Sequence, residues 1–541
     1  MNNLNLRAKL YALVIASSIL AASGGLKNNS AYAQHEGHDM SKMPPAKKPK
    51  PAPSPAPAPS PEAAPSTVET PPAPAPSASP SPGNEPVVTD SLPAVDHSTH
   101  TMEQPAPAEP HEHSEGMDAL MVMSGEQMDI RVGANRLNAI PMGQMGSGTS
   151  WQPSTTPMYM WYKNTKGWLL FFHGDMKLGV NSQGGPRGAT KVESQNWFMP
   201  MAFRRVGRGT LQLRGMFSLE PFTFPPGGSG ELFQTGETYK GQPIIDAQHP
   251  HDLFMELSAT YTMPLGERGT WFAYLGFPGE PALGPTAFMH RWSASENPSA
   301  PLTHHLQDST HISFGVLTTG FTYRWFKLEG SIFNGREPDE NRYNFEFNPW
   351  NSRSVRLSFA PNENWAMQIS YGLLKNPEAL EAGDTRRMTA SVSYNKRFHR
   401  GNWASSLIWG RNREEHGDEL FHLNGYTAES TLNFLDKNYV YTRLELVDKK
   451  DLLRHDDLHR LGFPEDADHP QFRIGAYTFG YARDVWNTEK ISMALGSDLT
   501  FYSKPDLLDQ IYGRNPVSYR FFIRLRPNKM TMSGHGRHQD E

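Results

Sequence analysis

Between residues 154 and 527 the chain alternates with a period of two, segment after segment. Trp365, Met367, Ile369, Tyr371 and Leu373 interleave with Ala366, Gln368, Ser370 and Gly372. Met388, Ala390, Val392 and Tyr394 interleave with Thr389, Ser391, Ser393 and Asn395, and Ile491, Met493, Leu495, Leu499 and Phe501 with Ser492, Ala494, Gly496, Asp498 and Thr500. An extended strand puts successive side chains on opposite faces, whereas a helix repeats every three to four residues. Segments of 8 to 13 residues, parted by turns rich in Gly, Asn, Asp and Pro, therefore predict an all-β fold.

A soluble sandwich also alternates, so the two faces must be compared. One is large and apolar along the whole strand, and the other is small or hydrophilic throughout, as a water-filled lumen requires. Tryptophans gather at strand ends (Trp151, Trp161, Trp168, Trp197, Trp365, Trp403 and Trp409), where an interfacial girdle would lie. In lipid no sheet edge can stay unpaired, so such a repeat closes on itself. The expectation is a transmembrane antiparallel β-barrel over residues 154–527.

Short turns fall near 164–166, 206–208, 264–269, 324–325, 360–363, 398–401, 435–437 and 484–489. Long connections fall near 180–194, 219–251, 278–310, 335–351, 374–386, 412–422, 448–471 and 503–515. Strict alternation of short and long is the pattern of outer-membrane barrels, with short turns periplasmic and long loops external. Strands are placed near 156–163, 167–179, 195–205, 209–218, 253–263, 270–277, 311–323, 326–334 and 352–359. The others are placed near 364–373, 387–397, 402–411, 423–434, 438–447, 472–483, 490–502 and 516–525. That makes 17, and single-chain bacterial barrels prefer even numbers. The expectation is therefore 16–18 strands, with either one more hidden between Met117 and Gly148 or one assignment in error. In the last strand Val517, Tyr519, Phe521, Ile523 and Leu525 are expected to face lipid, and Ser518, Arg520, Arg524 and Arg526 the lumen. Lys327, Glu329, Arg353 or Arg356, Arg443 and Glu445 add luminal charges of both signs.

Both ends of the chain differ from this body. Arg7 and Lys9 precede an apolar run from Leu10 to Ala22, and Ala31-Tyr32-Ala33 offers a small-x-small cleavage site, so residues 1–33 read as a secretory signal peptide. Residues 34–117 read as a disordered Pro-rich N-terminal arm, because 21 of the 46 prolines lie between 44 and 110 and such a composition cannot bury a core. The arm carries three clusters: His35, His38 and Met40; His97, His100 and Met102; and His111 with His113. Imidazole with thioether suits copper in both oxidation states, which makes each cluster a candidate metal site. Residues 118–153 form a transition segment, and the tail 528–541 repeats the arm's chemistry with Met530, Met532, His535 and His538. The chain has no cysteine, which excludes disulfides and thiolate sites, and its net charge of −5 gives no sign of nucleic-acid binding.

In composition the arm resembles the His/Met-rich leader of copper-resistance protein B. The body resembles a group of Gram-negative outer-membrane β-barrel proteins often met beside metal-resistance functions. The matching stretches are LFQTGETYKG, DAQHPHDLFMELSATY, PGEPALGPTAFMHR, THHLQDSTHI, KLEGSIFNGREPDE and GNWASSLIWGR. This resemblance implies an outer-membrane location and an association with metal tolerance, and brings no established activity. The last strand looks like the C-terminal strand of outer-membrane proteins but does not end on an aromatic residue.

Six of the 21 histidines fall between Gly241 and Ser313, in company with Asp246, Asp252, Asp308, Met289 and Arg291. Strands 253–263 and 270–277 form a hairpin in this scheme, so His249, His251, the loop 278–310 and His311 meet at the external rim. A loop of this length, stiffened by Gly and Pro, is expected to fold into the lumen as a constriction. There His249, His251, Asp252, His290, His304, His305, Asp308 and His311 are candidate ligands for copper or another divalent cation. Equally, they can hydrogen-bond one another and pin the loop to the wall.

Walker, HExxH and nucleophile-elbow motifs are absent. His311 and Ser313 have the spacing found in outer-membrane phospholipases, but with Ile312, Phe314 and Val316 as the apolar face they would point inward, and no Asn-Gly follows the serine. No enzymatic activity and no certain cofactor are expected. The leading reading is a channel or transport protein linked to handling of, or tolerance to, copper or another metal cation. A general or saccharide-type porin with structural histidines is the alternative, and a barrel enzyme the least favoured. Expected partners are outer-membrane lipid and, through the periplasmic arm, metal-handling proteins or peptidoglycan, with the oligomeric state open.

Overall fold

The computed structural model describes residues 120–530 apart from 125–126, 133–137, 418 and 465–469. The expected signal peptide, the arm with its three clusters, and the tail beyond Met530 lie outside the described residues. Three short strands come first: β1 (Met121–Ser124), β2 (Gln127–Arg131) and β3 (Ala139–Pro141). Then come β4 (Met160–Thr165), β5 (Trp168–Ser182), β6 (Thr190–Val206) and β7 (Gly209–Phe217). A hairpin of β8 (Ser229–Tyr239) and β9 (Gln242–Gln248) follows, paired only with itself. The wall resumes with β10 (Phe254–Leu265), β11 (Gly269–Gly276), β12 (Val316–Tyr323), β13 (Phe326–Phe333), β14 (Ser352–Phe359) and β15 (Trp365–Leu374). It ends with β16 (Thr385–Phe398), β17 (Gly401–His416), β18 (Glu419–Phe434), β19 (Asn438–Lys449), β20 (Phe472–Asn487), β21 (Ile491–Ser503) and β22 (Val517–Pro527).

Each wall strand pairs antiparallel with the next, and β22 closes on β5 from Tyr519↔Ser182 to Leu525↔Met176. The ring of β5–β7 and β10–β22 is thus a closed barrel with an even number of staves. β4 pairs with the first part of β5, from Thr165↔Trp168 to Met160↔His173, and continues the seam where β22 leaves it. The strand expected at 156–163 is this seam strand and not a full stave, which resolves the odd count. Among the described residues no stave precedes Gly148 either, because β1–β3 form a sheet of their own. That sheet is tied to the short-turn end of the barrel by Thr210 Oγ1 to Arg131 O (2.9 Å) and Asn138 Nδ2 to Gly266 O (3.0 Å). The long connection expected at 219–251 holds the unanticipated β8–β9 hairpin. Its turn has Lys240 and Gly241 both at positive φ (55° and 70°), the two-residue geometry that matches strand twist.

The outer face is apolar as the alternation requires. Leu407 is 64% exposed and Ile369 58%, and Leu275, Leu328, Phe479 and Leu495 stand out likewise, an extent of apolar surface that suits lipid and not water. A concavity of about 820 Å³ lies on this outer face between Ile369, Leu407, Tyr426 and Leu444. At the short-turn end Trp161, Trp325, Trp403 and Trp486 are exposed, and Trp365 packs on Tyr394 with ring centres 4.6 Å apart. Two members of the expected girdle belong elsewhere. Trp197 is buried on the inner face of β6, and Trp151 lies inside, beneath the Lys327 ammonium at 4.8 Å.

The lumen is not water-filled, which corrects that expectation. Residues 142–158 and 277–315 run through it and bury the inward polar groups, among them Arg356, Arg443, Arg520 and Arg524. Arg353 points outward, so Arg356 is the luminal member of that pair. The expected strand at 311–323 also starts later. Residues Ser309–His311 form a helical turn, and in β12 it is Leu317 that faces out while Val316 and Thr318 face in. Parity cannot be carried back through residues 309–315 because the helical turn Ser309–His311 and Gly315 at positive φ (104°) interrupt it. We predict that Leu407→Arg, at mid-height on the lipid face, destabilises the barrel by about 2–4 kcal/mol, read by denaturant titration in lipid vesicles.

Candidate functional site

After β11 the chain turns inward, and a two-way backbone bridge forms the neck of the inner loop: Gly279 N to Ser313 O is 2.9 Å and Ser313 N to Gly279 O is 2.8 Å. β11 to β14 are only 8 residues each, against 15 for β5 and 16 for β17, so the loop leaves the wall at its lowest side. From there it meets the wall nearly all the way round. Ala282 N donates to Ser331 Oγ (2.7 Å) and Gly284 N to Ser370 Oγ (2.9 Å). Arg356 Nη1 donates to Gly284 O (2.9 Å), Arg443 Nη1 to Ser299 O (2.8 Å) and Thr431 Oγ1 to Ser293 O (2.8 Å).

Arg291 is the centre of this attachment. Its guanidinium spans Asp308 of the same loop (2.5 Å) and Glu429 of β18 (2.9 Å), and Nη1 also donates to Thr286 O (2.8 Å). A planar guanidinium fork holds two carboxylates in fixed directions in this way. Glu296 pairs with Arg524 and with Arg526 (3.0 Å) on the last stave. These pairs are buried, so each holds the loop mainly by the cost of leaving a charge alone.

Five of the six histidines stand together at the long-loop end. Neighbouring ring centres are 5.9 Å apart for His249 and His305, 5.3 Å for His305 and His304, 5.1 Å for His304 and His311, and 5.2 Å for His311 and His251. Each ring is held by an oxygen: His249 Nε2 by Glu237 (2.9 Å), His251 Nδ1 by Glu220 (2.7 Å), His304 Nδ1 by Asp308 (2.7 Å) and His305 Nδ1 by Glu337 (3.3 Å). His311 Nδ1 donates to Asp308 O (2.8 Å), and Ser313 Oγ to Thr310 O (3.2 Å), so that pair serves the loop backbone. Asp252 is set beside Arg342 (3.5 Å), which also binds Glu237. Asp246 turns away to Arg187 (2.9 Å) and accepts from Phe233 N (2.8 Å).

Burial and neighbours give these groups different charges. Burial lowers His251, the Glu220 carboxylate raises it, and the net shift is upward. His249 is lowered, burial outweighing Glu237, and His311 is pushed well below the usual range by burial and by His304. Burial raises Asp252 to about 7, with Arg342 opposing and Glu237 adding to the rise. The Nε2 atoms of His251, His305 and His311 are buried without a hydrogen-bond partner. Among the described residues no group of three or more His, Asp or Glu side chains is disposed to hold a metal ion.

His290 is not part of this row, contrary to the expectation that all six would meet. The helical turn Phe288–His290 carries it down against the β5–β7 wall, with ring centres 4.5 Å from Trp197 and 6.3 Å from His173. The carboxylates that hold the histidines went unremarked in the sequence because they lie apart from them along the chain, Glu220 and Glu237 between β7 and β10 and Glu337 between β13 and β14. Glu429 was legible in principle from the inward parity of β18. We predict that Arg291→Met, which strands Asp308 and Glu429, costs about 3–5 kcal/mol and strips amide protection from residues 282–310 in hydrogen exchange.

No family model matches the chain, and no curated protein matches it. Among solved structures it is similar to an anion-selective porin from Comamonas acidovorans, at 11% identity and a TM-score of 0.39, over 66% of this chain and 99% of that one. It is similar to a loop-deletion form of the outer membrane protein OmpT of Vibrio cholerae, at 10% identity and a TM-score of 0.39, over 67% of this chain and 99% of that one. OpdQ of Pseudomonas aeruginosa is similar at 8% identity and a TM-score of 0.35, over 67% of this chain and 98% of that one.

Proposed function

We propose that the protein is an outer-membrane channel or transport barrel that handles metal cations, copper foremost, and that residues 277–315 close its passage in this conformation. The observation that carries the cation reading is the state of the rim imidazoles. Nδ1 of His251, His305 and His311 is engaged by an oxygen while Nε2 is buried and free. Such a contact on one ring nitrogen fixes the tautomer and presents the other nitrogen to a metal. The histidines form a row and not a closed cage, which suits passage, since a conducted ion must be able to leave each station.

The remaining parts fit this reading. With short turns periplasmic, the arm with His35, His38, Met40, His97, His100, Met102, His111 and His113 lies in the periplasm, placed to collect or hand over copper. The apolar outer wall suits contact with membrane lipid.

A strain lacking the gene should grow less well than its parent on raised copper, with sugar uptake unchanged. Unaltered copper tolerance together with altered sugar uptake would replace this reading with that of a saccharide-type porin.

A further inference from the structure

Half of the methionines lie in one place. Met121, Met128, Met142, Met145, Met158, Met160, Met199, Met201, Met216, Met255, Met289 and Met530 belong to a single apolar cluster inside the barrel, out of 24 in the chain. The cluster runs along the side of the lumen made by β4 to β7 and is not solid. Met142, Met145, Met158, Met160, Met199 and Met201 border a cavity of about 40 Å³, room enough for one ion or a water or two.

Two imidazoles share that border, His173 from β5 and His290 from the inner loop. His290 Nε2 lies 3.3 Å from Met216 Sδ, and the His173 ring centre lies 6.3 Å from that of His290. The Trp197 ring stands 4.7 Å from His173 and 4.5 Å from His290 and presents a π system to the same space. Arg214 also borders the cavity: its Nη2 pairs with Glu256 (2.7 Å), its Nη atoms donate to the carbonyls of Gly146 and Gly148, and its Nε has no hydrogen-bond partner among the described residues. No carboxylate borders the cavity among the described residues.

Methionine is an adaptable filler of apolar space. Packing alone accounts for the thioethers but not for a hollow that two imidazoles border. Burying an ion costs energy that grows with the square of its charge, so a pocket of neutral donors without a carboxylate disfavours a divalent ion. Thioether sulfur with neutral imidazole is the donor set that selects a soft monovalent ion.

We propose that this cavity binds one soft monovalent d¹⁰ cation, copper(I) or its silver(I) analogue, through methionine sulfurs with His290 and His173. The site rests on the metal-handling reading but uses none of the five rim histidines.

The test is silver(I) titration of the full-length protein in detergent, comparing wild type with Met199→Leu/Met201→Leu and, separately, His290→Phe. Met-to-Leu exchange nearly conserves volume and is well tolerated in cores, and heat-modifiable gel migration checks that each variant is folded. The expected result is that both variants lose one bound equivalent per chain relative to wild type. Copper(I)-loaded wild type should show sulfur-dominated X-ray absorption that the double variant lacks. Equal stoichiometry and identical spectra in folded wild type and variants would overturn the site. Loss of copper tolerance in the gene-deleted strain alongside that result would leave the broader reading standing without this site. Variants that lose the equivalent in a strain of unaltered tolerance would establish the site and remove the tolerance role.

Discussion

A barrel closed in lipid has no way to hand its inner polar groups to bulk water once its lumen is occupied. Everything inside follows from that constraint. The alternation that gives the wall an apolar outside also sends Arg356, Glu429, Arg443, Glu445 and Arg524 inward, and each must find a partner within the cylinder. The inner loop supplies those partners in two forms. Its backbone carbonyls at Gly284 and Ser299 accept from wall arginines, and its own Arg291 and Glu296 answer wall charges of opposite sign. The loop is therefore as much a counter-charge for the wall as a barrier in the passage.

The interior divides by chemistry. Around β18 and β19 it is ionic, with guanidinium–carboxylate pairs and hydroxyl bridges such as Thr303 to Thr427 at 2.6 Å. Along β5 to β7 it is sulfur-rich and aromatic, with Met199, Met201, Phe171 and Phe203 packed together. The short turn Phe288–His290 and the following Arg291 join the two regimes: consecutive side chains enter the methionine cluster and the Asp308–Glu429 clamp. A change at either neighbour will be felt in both halves of the lumen.

The wall was legible in the sequence because period two and lipid exposure act on every strand alike. Most staves from β5 onward fall where the alternation and the turn residues place them, and the last strand faces lipid with Val517 and Ile523 as expected; but β12 starts only at Val316, and the long connection expected at 412–422 is instead strand, β17 running to His416 and β18 starting at Glu419. What escaped was everything inside. Residues 142–158 and 277–315 have no period, because each contact they make is to a different stave far away in sequence, as Arg291 is to Glu429. His290 was grouped with the rim by proximity in sequence, yet the turn at Phe288 carries it out of the row and against Trp197 and His173. Trp197 was read as girdle because it lies near a strand end, while its parity on β6 puts it inside with Met199. The methionines went unread for a related reason: they come from β4, β6, β7, the inner loop and residues 142–158, and only closure of the barrel gathers them.

Glu296 gives the assembly an order. Its partners Arg524 and Arg526 sit on β22, the stave that closes the ring, some 230 residues further along the chain. Until β22 arrives, the carboxylate in the loop and two arginines of the incoming strand are mutually unsatisfied. Once the ring is shut, the loop has no open edge by which to enter. Filling and closing are thus a single cooperative event, and a chain that closed empty would trap these charges without their partners.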